Sequence, residues 1–361
     1  MKPYIPDLLP LKSLDWESLV PLIAKANRAL ALYRGMLQAV TNPKLFLSPL
    51  TTQEAVLSSK MEGTQATLVE VLEYEAKNRP EGEKGDIQEV LNYRTALRVA
   101  TAELRKRPIS LNMVKRLHFV LMDSVRGRDK ARGEFRTTQN YIGRPGSTIK
   151  EASFVPPPPG RVPEFLANME SYIHYEEKDT LVQLAVVHAQ FEIIHPFMDG
   201  NGRVGRILIP VFLVEKGLLD GPSFYISAYL EKNRDIYCQR LHDISEKKRW
   251  QEWIAFFLTA VIEQANANYQ KATSIMAFHE RTKIEVASIL KSPYTLQALD
   301  AIFEQPVFNS VAFVQRSGIP ERSALRILGK LEDAGVITLR ERKSGRKPAV
   351  WMLGGLVDLA G

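Results

Sequence analysis

His195-Pro196-Phe197-Met198-Asp199-Gly200-Asn201-Gly202-Arg203-Val204-Gly205-Arg206 is the stretch on which the reading of this chain turns. Apolar residues at helical spacing run up to it over 181–194 and away from it over 202–214. Pro196 disfavours helical angles at the residue before it, which stops the first helix at His195. Gly200, Gly202 and Gly205 permit close backbone approach. The second helix starts near Gly202, so free N–H groups and the positive end of the helix dipole form an anion site there. Arg203 and Arg206 stand three apart and emerge side by side on one face. Two guanidiniums beside free amides suit a polyphosphate. Asp199 adds a carboxylate, and a carboxylate among phosphates implies Mg²⁺. His195 is the base at hand, titrating near neutrality when unperturbed. A lone histidine before proline reads as a helix terminator. A base, an acid, two arginines and three glycines within one loop read as a site that holds a nucleotide and takes a proton from an incoming hydroxyl.

Outward from this loop the chain is mostly helical. Periodicity predicts helices over 14–41, 51–60, 68–76, 87–105, 112–125, 162–175, 234–245 and 250–288. Asn78-Arg79-Pro80-Glu81-Gly82 stops the third of them. Between 135 and 155 the pattern changes. Phe135 to Ile142 carries β-type residues, Gly143-Arg144-Pro145-Gly146 signals a turn, and Ser153-Phe154-Val155 reads as a returning strand. The run Pro156 to Pro159 then forbids helix or central strand. After Lys291-Ser292-Pro293 come helices over 296–304, 309–316 and 321–334, then strand-like runs over 336–340 and 349–353. Helix, turn, helix and a basic hairpin make the layout of a winged helix.

Composition sets outer bounds. A hydrophobic fraction of 45% with 25% charged residues describes a globular protein with a core, not a disordered chain. The net charge of +7 is mild for 361 residues and permits an acidic partner without requiring one. The lone Cys238 rules out an intrachain disulfide framework and fits a reducing cytoplasm. The opening Met1-Lys2-Pro3-Tyr4-Ile5-Pro6-Asp7 lacks a signal peptide's apolar run, and no stretch is long enough to span a bilayer.

The loop HPFMDGNGRVGR resembles the signature of the Fic family; the resemblance extends from about residue 50 to 260, and looser similarity covers both ends of the chain. The resemblance implies a mostly α fold: a Fic-type helical core with a β-hairpin flap, followed by the C-terminal winged helix (α+β). It implies four regions: an N-terminal helical region over 1–110, the catalytic core over 111–260 with its flap at 135–155, a linking helix over 261–290, and the winged helix over 291–361. The implied activity is transfer of AMP from ATP to Ser, Thr or Tyr hydroxyls of proteins, itself included, with pyrophosphate leaving. His195 would activate the hydroxyl. Asp199 would hold Mg²⁺, Gly200, Asn201 and Gly202 would line the phosphate nest with Val204 and Gly205 beside it, and Arg203 and Arg206 would grip the β- and γ-phosphates.

Ser58-Ser59-Lys60-Met61-Glu62-Gly63 is similar to the family's inhibitory motif, placed on a helix over about 51–63. Ser58 and Glu62 are four apart and share a helical face. The implied brake is Glu62 paired with Arg206, in the space the γ-phosphate needs. The flap would clamp an extended target segment by adding a strand. Asn233 would lie by the adenine, in a helical series with Tyr229 and Tyr237; these tyrosines and Tyr225 are open to core packing or self-modification. His188 reads as a packed neighbour of the loop, and His118, His174, His242 and His279 carry no pattern. Relatives pair into homodimers, and a homodimer is expected here. Arg322, Arg326 and Lys330 line one face of the last long helix, and Arg340, Arg342, Lys343, Arg346 and Lys347 follow. They outnumber Glu321, Glu332, Asp333 and Glu341, so the winged helix could meet DNA or serve as a protein or dimer module. Two further readings stay open: AMP removal at the same site, and a DNA-binding regulator whose core senses nucleotide.

Overall fold

The computed structural model describes all residues except 1, 41, 78–84, 124–130, 145, 147 and 346, and all but the side chain at 44. The stop signal at Asn78-Arg79-Pro80, the helix end at Val125, Pro145 of the turn and Arg346 lie outside the described residues. Helices dominate: α1 (Trp16–Gln38), α2 (Pro43–Lys60), α3 (Leu68–Ala76), α4 (Gly85–Leu104), α5 (Leu111–Leu121), α6 (Val162–Ile173), α7 (Thr180–Ile194), α8 (Asn201–Glu215), α9 (Ser227–Lys232), α10 (Arg234–Lys247) and α11 (Trp250–Leu290). The tail runs α12 (Thr295–Glu304), β1 (Val307–Asn309), α13 (Ser310–Ser317), α14 (Glu321–Asp333), β2 (Thr338–Glu341), β3 (Val350–Met352) and α15 (Gly354–Ala360). The strands form one antiparallel sheet in the order β1-β3-β2. The expected mostly helical core with a small β element is the fold observed.

Local chemistry explains the boundaries. Thr67 and Glu70 form a reciprocal capping box at the start of α3. Asp179 accepts from the amides of Leu181 and Val182 at the start of α7. Helix α2 begins eight residues before the predicted Thr51, because Pro43 takes the first-turn position where a missing N–H costs nothing.

Two hydrophobic clusters organise the chain. The first joins Leu19, Leu30 and Tyr33 of α1 to Phe191 of α7 and Trp253 and Leu258 of α11. Trp250 and Trp253 anchor α11 in it, as the sequence suggests. The N-terminal helices and the 111–260 region therefore share one core. The 41 residues of α11 run unbroken from this core into the tail, so 261–290 is the second half of one helix, buried at Ala265, Asn268, Ala272 and Ile275. The second cluster joins Leu45, Phe46 and Leu50 of α2 and Leu68 and Leu72 of α3 to Phe303, Phe308, Leu328 and Trp351 of the tail. Helix α2 thus belongs to both bodies.

Among the described residues the expected hairpin over 135–155 is reduced to a single bridge, Ile142 opposite Phe154. The segment before it forms no strand because its polar groups are used elsewhere. Arg136 donates its backbone N–H to Pro196 O and its Nε to His195 O, and Asn140 Nδ2 donates to Phe197 O. The series Tyr229, Asn233, Tyr237 is not one helix face either. Asn233 leaves helical geometry (φ −110°, ψ 31°) and separates α9 from α10.

Candidate active site

The end of α7 and the start of α8 bring the loop together. His195 caps α7 in the left-handed region at φ 49°, uncommon for a non-glycine residue. Its Nδ1 lies 3.2 Å from Glu192 O, and a carbonyl can only accept. The proton therefore sits on Nδ1, and Nε2 carries the free lone pair. Burial pushes this imidazole down to about 4, against the pull of the Glu192 hydrogen bond and of the Glu62 and Asp199 carboxylates. At neutral pH it is an uncharged base.

Gly200, also left-handed at φ 77°, turns the chain into α8. The amides of Asn201, Gly202 and Arg203 have no hydrogen-bond partner among the described residues. Such a row of free donors is what an anion requires. Asp199 Oδ1 accepts from Gly200 N at 2.6 Å, and its side chain is 47% exposed beside this row. One accessible carboxylate next to a phosphate site fits Mg²⁺, which keeps most of its waters and is completed by substrate oxygens.

One assignment narrows and one changes. Asn201 does not offer its side chain to a ligand: Oδ1 accepts from Phe197 N at 2.8 Å and Nδ2 donates to Phe197 O at 2.9 Å. It braces the loop, leaving only its amide for the nest. Val204 contributes neither group, since its side chain is buried and its N–H donates to Gly200 O.

Arg206 is fully enclosed. Its Nε donates to Ser58 Oγ at 2.8 Å, and Nη2 donates to Ser58 O at 2.9 Å and to Glu62 Oε1 at 2.6 Å. Burial opposes its charge, but the Glu62 carboxylate holds the guanidinium above its ordinary range. Burial likewise opposes the charge on Glu62, and Arg206 outweighs it, so that carboxyl stays below its usual range. Glu62 is not on the helix face, because α2 ends at Lys60. It follows in a turn closed by Glu62 N donating to Ser59 O and completed by Gly63 at φ 96°. A side chain added at Gly202 would meet the Glu62 carboxylate and the Arg206 guanidinium. Glu62 therefore fills the space over the first turn of α8, standing where an anionic ligand would stand.

Several members of the site carry no local signal. Arg203 Nη1 is held by Glu89 at 3.0 Å, both side chains under 10% exposed. Glu89→Ala leaves that buried guanidinium only the longer Asp199 contact, 3.8 Å from Nη2; a loss of about 3 kcal/mol in chemical denaturation is expected. His118 stacks on Phe197 at 3.8 Å, accepts from Gly133 N on Nδ1 and donates Nε2–H to Asp199 O. Burial pushes it down to about 4, so it is a neutral strut. His188 is a packed neighbour, bonded to Gly205 O and Tyr237 Oη. Tyr225 and Tyr237 are buried and inaccessible to modification, whereas Tyr229 is half-buried. Asn233 Nδ2 donates to Tyr229 O. A cavity of about 480 Å³ opens between the Ile142–Phe154 bridge and α10, lined by Glu192, Asp235, Cys238 and His242, and Asn233 is not among its lining residues.

Glu54, one turn before Ser58, is the buried anchor of α2. It accepts from Ser227 N at 3.0 Å and Ser227 Oγ at 2.7 Å. Burial raises its carboxyl to about 7, against those two hydrogen bonds. The sign follows from linkage. A folded pKa above the unfolded one gives stability that is full below pH 4.5 and lost as pH rises through 7. Glu54→Gln mimics the protonated form. Its stability relative to the unsubstituted chain should climb by the order of 2 kcal/mol between pH 5 and 8, read by urea denaturation. A constant difference would mean that Glu54 titrates normally.

Family models match two stretches: the Fic/DOC family N-terminal region over residues 20–102 and the Fic/DOC family over 108–213, together more than half of the chain. A probable protein adenylyltransferase of Aquifex aeolicus is 41% identical over 96 residues, 26% of this chain and 28% of that protein. The protein adenylyltransferase Fic of Drosophila melanogaster is 28% identical over 218 residues, 57% of this chain and 40% of that one. The matches thus span well under half the length of these relatives. Among solved structures, a Fic family protein from Desulfovibrio desulfuricans G20 superposes with a TM-score of 0.60 at 21% identity, over 98% of both chains. Fic-1 from C. elegans gives 0.56 at 18% identity, over 73% of this chain and 75% of that one. No helix among the described residues is long and apolar enough to cross a membrane.

Proposed function

The chain belongs to the Fic/DOC family, and we propose that it is a protein adenylyltransferase that moves AMP from ATP to a hydroxyl of a protein and is restrained by Glu62. The observation that carries this reading is the pairing of a neutral, Nδ1-protonated His195 with three free amides at the start of α8. Nε2 takes the proton of the acceptor hydroxyl as its oxygen attacks the α-phosphorus. The bond from that phosphorus to the bridging oxygen breaks, and pyrophosphate leaves. The amides of Asn201, Gly202 and Arg203, with Arg203 and a released Arg206, hold the β- and γ-phosphates. Asp199 would hold Mg²⁺, which supplies charge neutralisation at the phosphates. The exposed Tyr141 and Ile142 beside the single bridge suit an extended target segment added as a strand.

The test uses purified protein, its Glu62→Gly form and ATP labelled at either end. Transfer of the α-label alone supports AMP transfer; transfer of the γ-label would make this a kinase. AMP removal is the second reading, favoured by the Glu62 carboxylate standing close enough to act on His195. Release of AMP from a pre-modified chain, lost in Glu62→Gly, would establish it.

We read the C-terminal unit as a winged helix. Arg322, Arg326 and Lys330 stay exposed along α14, a face suited to nucleic-acid phosphates. Retention on duplex DNA should weaken with salt and fall about tenfold in the triple alanine variant. Unchanged retention would leave this face to a protein partner.

A further inference from the structure

A cleft of about 780 Å³ lies on the far side of α2 from the phosphate loop, and no residue of 195–206 lines it. Its walls are the end of α1, the first half of α2, the second half of α4, the loop 219–225 and the end of α12. The volume is that of a small-molecule site. Leu37, Leu47, Leu97 and Leu219 give it an apolar lining. Its charge is one-sided. Arg34, Arg94, Arg98 and Arg105 face two carboxylates, Asp220 and Glu304. Arg34 pairs with Asp220 at 2.8 Å and Arg94 with Glu75 at 2.6 Å. Glu304 faces Arg316 outside the cleft at 3.5 Å. Arg98 of α4 and Arg105 just past its end, both exposed, make no ion pair among the described residues. Positive charge is left over beside an apolar lining.

The geometry points to a second ligand site here, for a metabolite-sized organic anion: a carboxylate or phosphate head on an apolar body. Arg98 and Arg105 would take the head, since guanidinium matches both oxyanions. The leucines would take the body. Thr51 of α2 and Tyr225 of the loop close one wall through a 2.8 Å hydrogen bond between their hydroxyls. An occupant therefore touches the helix that ends two residues before Glu62.

Anilinonaphthalenesulfonate, an aromatic body with one anionic head, serves as the fluorescent probe on the full chain. Saturable binding of one probe per chain is expected. Affinity should fall about tenfold or more in the Arg98→Glu/Arg105→Glu variant and in Ala102→Trp, which fills the cleft from an exposed position. Circular dichroism checks that both variants fold. Uncharged phenylnaphthylamine should bind at least about tenfold more weakly. Competition by naphthoate or by naphthyl phosphate identifies the preferred head. Equal binding to all three proteins, equal binding of the uncharged analogue, or competition by neither anion overturns the site. None of these readouts needs AMP transfer, so this proposal and the transferase reading fail separately.

Discussion

Glu62→Gly should raise α-label transfer by about tenfold or more, an increase worth at least about 1.4 kcal/mol at the transition state. The gain comes from space and charge together. Glu62 Oε1 occupies the position over the first turn of α8 and satisfies Nη2 of Arg206. Glycine vacates that volume and returns a guanidinium to solvent-accessible anions. Arg206 keeps its two bonds to Ser58, so the freed head stays oriented instead of collapsing. The effect should appear in kcat more than in ATP affinity, because the brake blocks a productive pose of the triphosphate tail. Labelling equal to that of the unsubstituted chain would show that the Glu62–Arg206 pair is structural only. Loss of labelling would show that Glu62 helps the reaction.

His195→Ala, built on the Glu62→Gly background so that a signal exists to lose, should cut transfer by about 10³-fold. In the proposed mechanism its ring takes the proton of the acceptor hydroxyl and leaves the phosphates to other groups, so the KM for ATP should stay put while kcat collapses. The pH profile carries independent information. An ordinary histidine would shed about nine tenths of its base form by about pH 5.5. Burial holds His195 down at about 4, so kcat/KM, which titrates the free protein, should stay flat from about pH 8 to about pH 5.5. A falling limb centred near 6.5 would mean that the ring is solvated in the working state. Retained transfer in the alanine variant would remove His195 from the chemistry.

The twelve-residue loop was legible because its logic is local. Pro196 ends a helix, Gly200 turns the chain, and the next helix exposes its amides, all within neighbouring residues. Helix existence was legible for the same reason, with ends misjudged where chemistry overrode periodicity, as at Pro43 in α2 and Asn233 between α9 and α10. The flap was over-read: β-type residues over 135–142 said nothing of the Arg136 backbone N–H, which goes to Pro196 O, or of the Arg136 and Asn140 side chains that tie the stretch to the carbonyls of His195 and Phe197.

The sequence by itself determined the 195–206 loop as the candidate site, with His195 as its base, and the Ser58–Glu62 motif as a candidate brake; the lowered protonation range of His195 came from its burial. Only the tertiary structure decided which side chains complete the site. Glu89 reaches Arg203 across 114 positions and Ser58 reaches Arg206 across 148. His118 and Glu54 likewise arrive from other helices. Hydrogen-bond geometry and helical spacing act over a few residues and are written in local order. Burial and charge pairing depend on which helices pack together, and that is fixed by the two hydrophobic clusters that α2 joins.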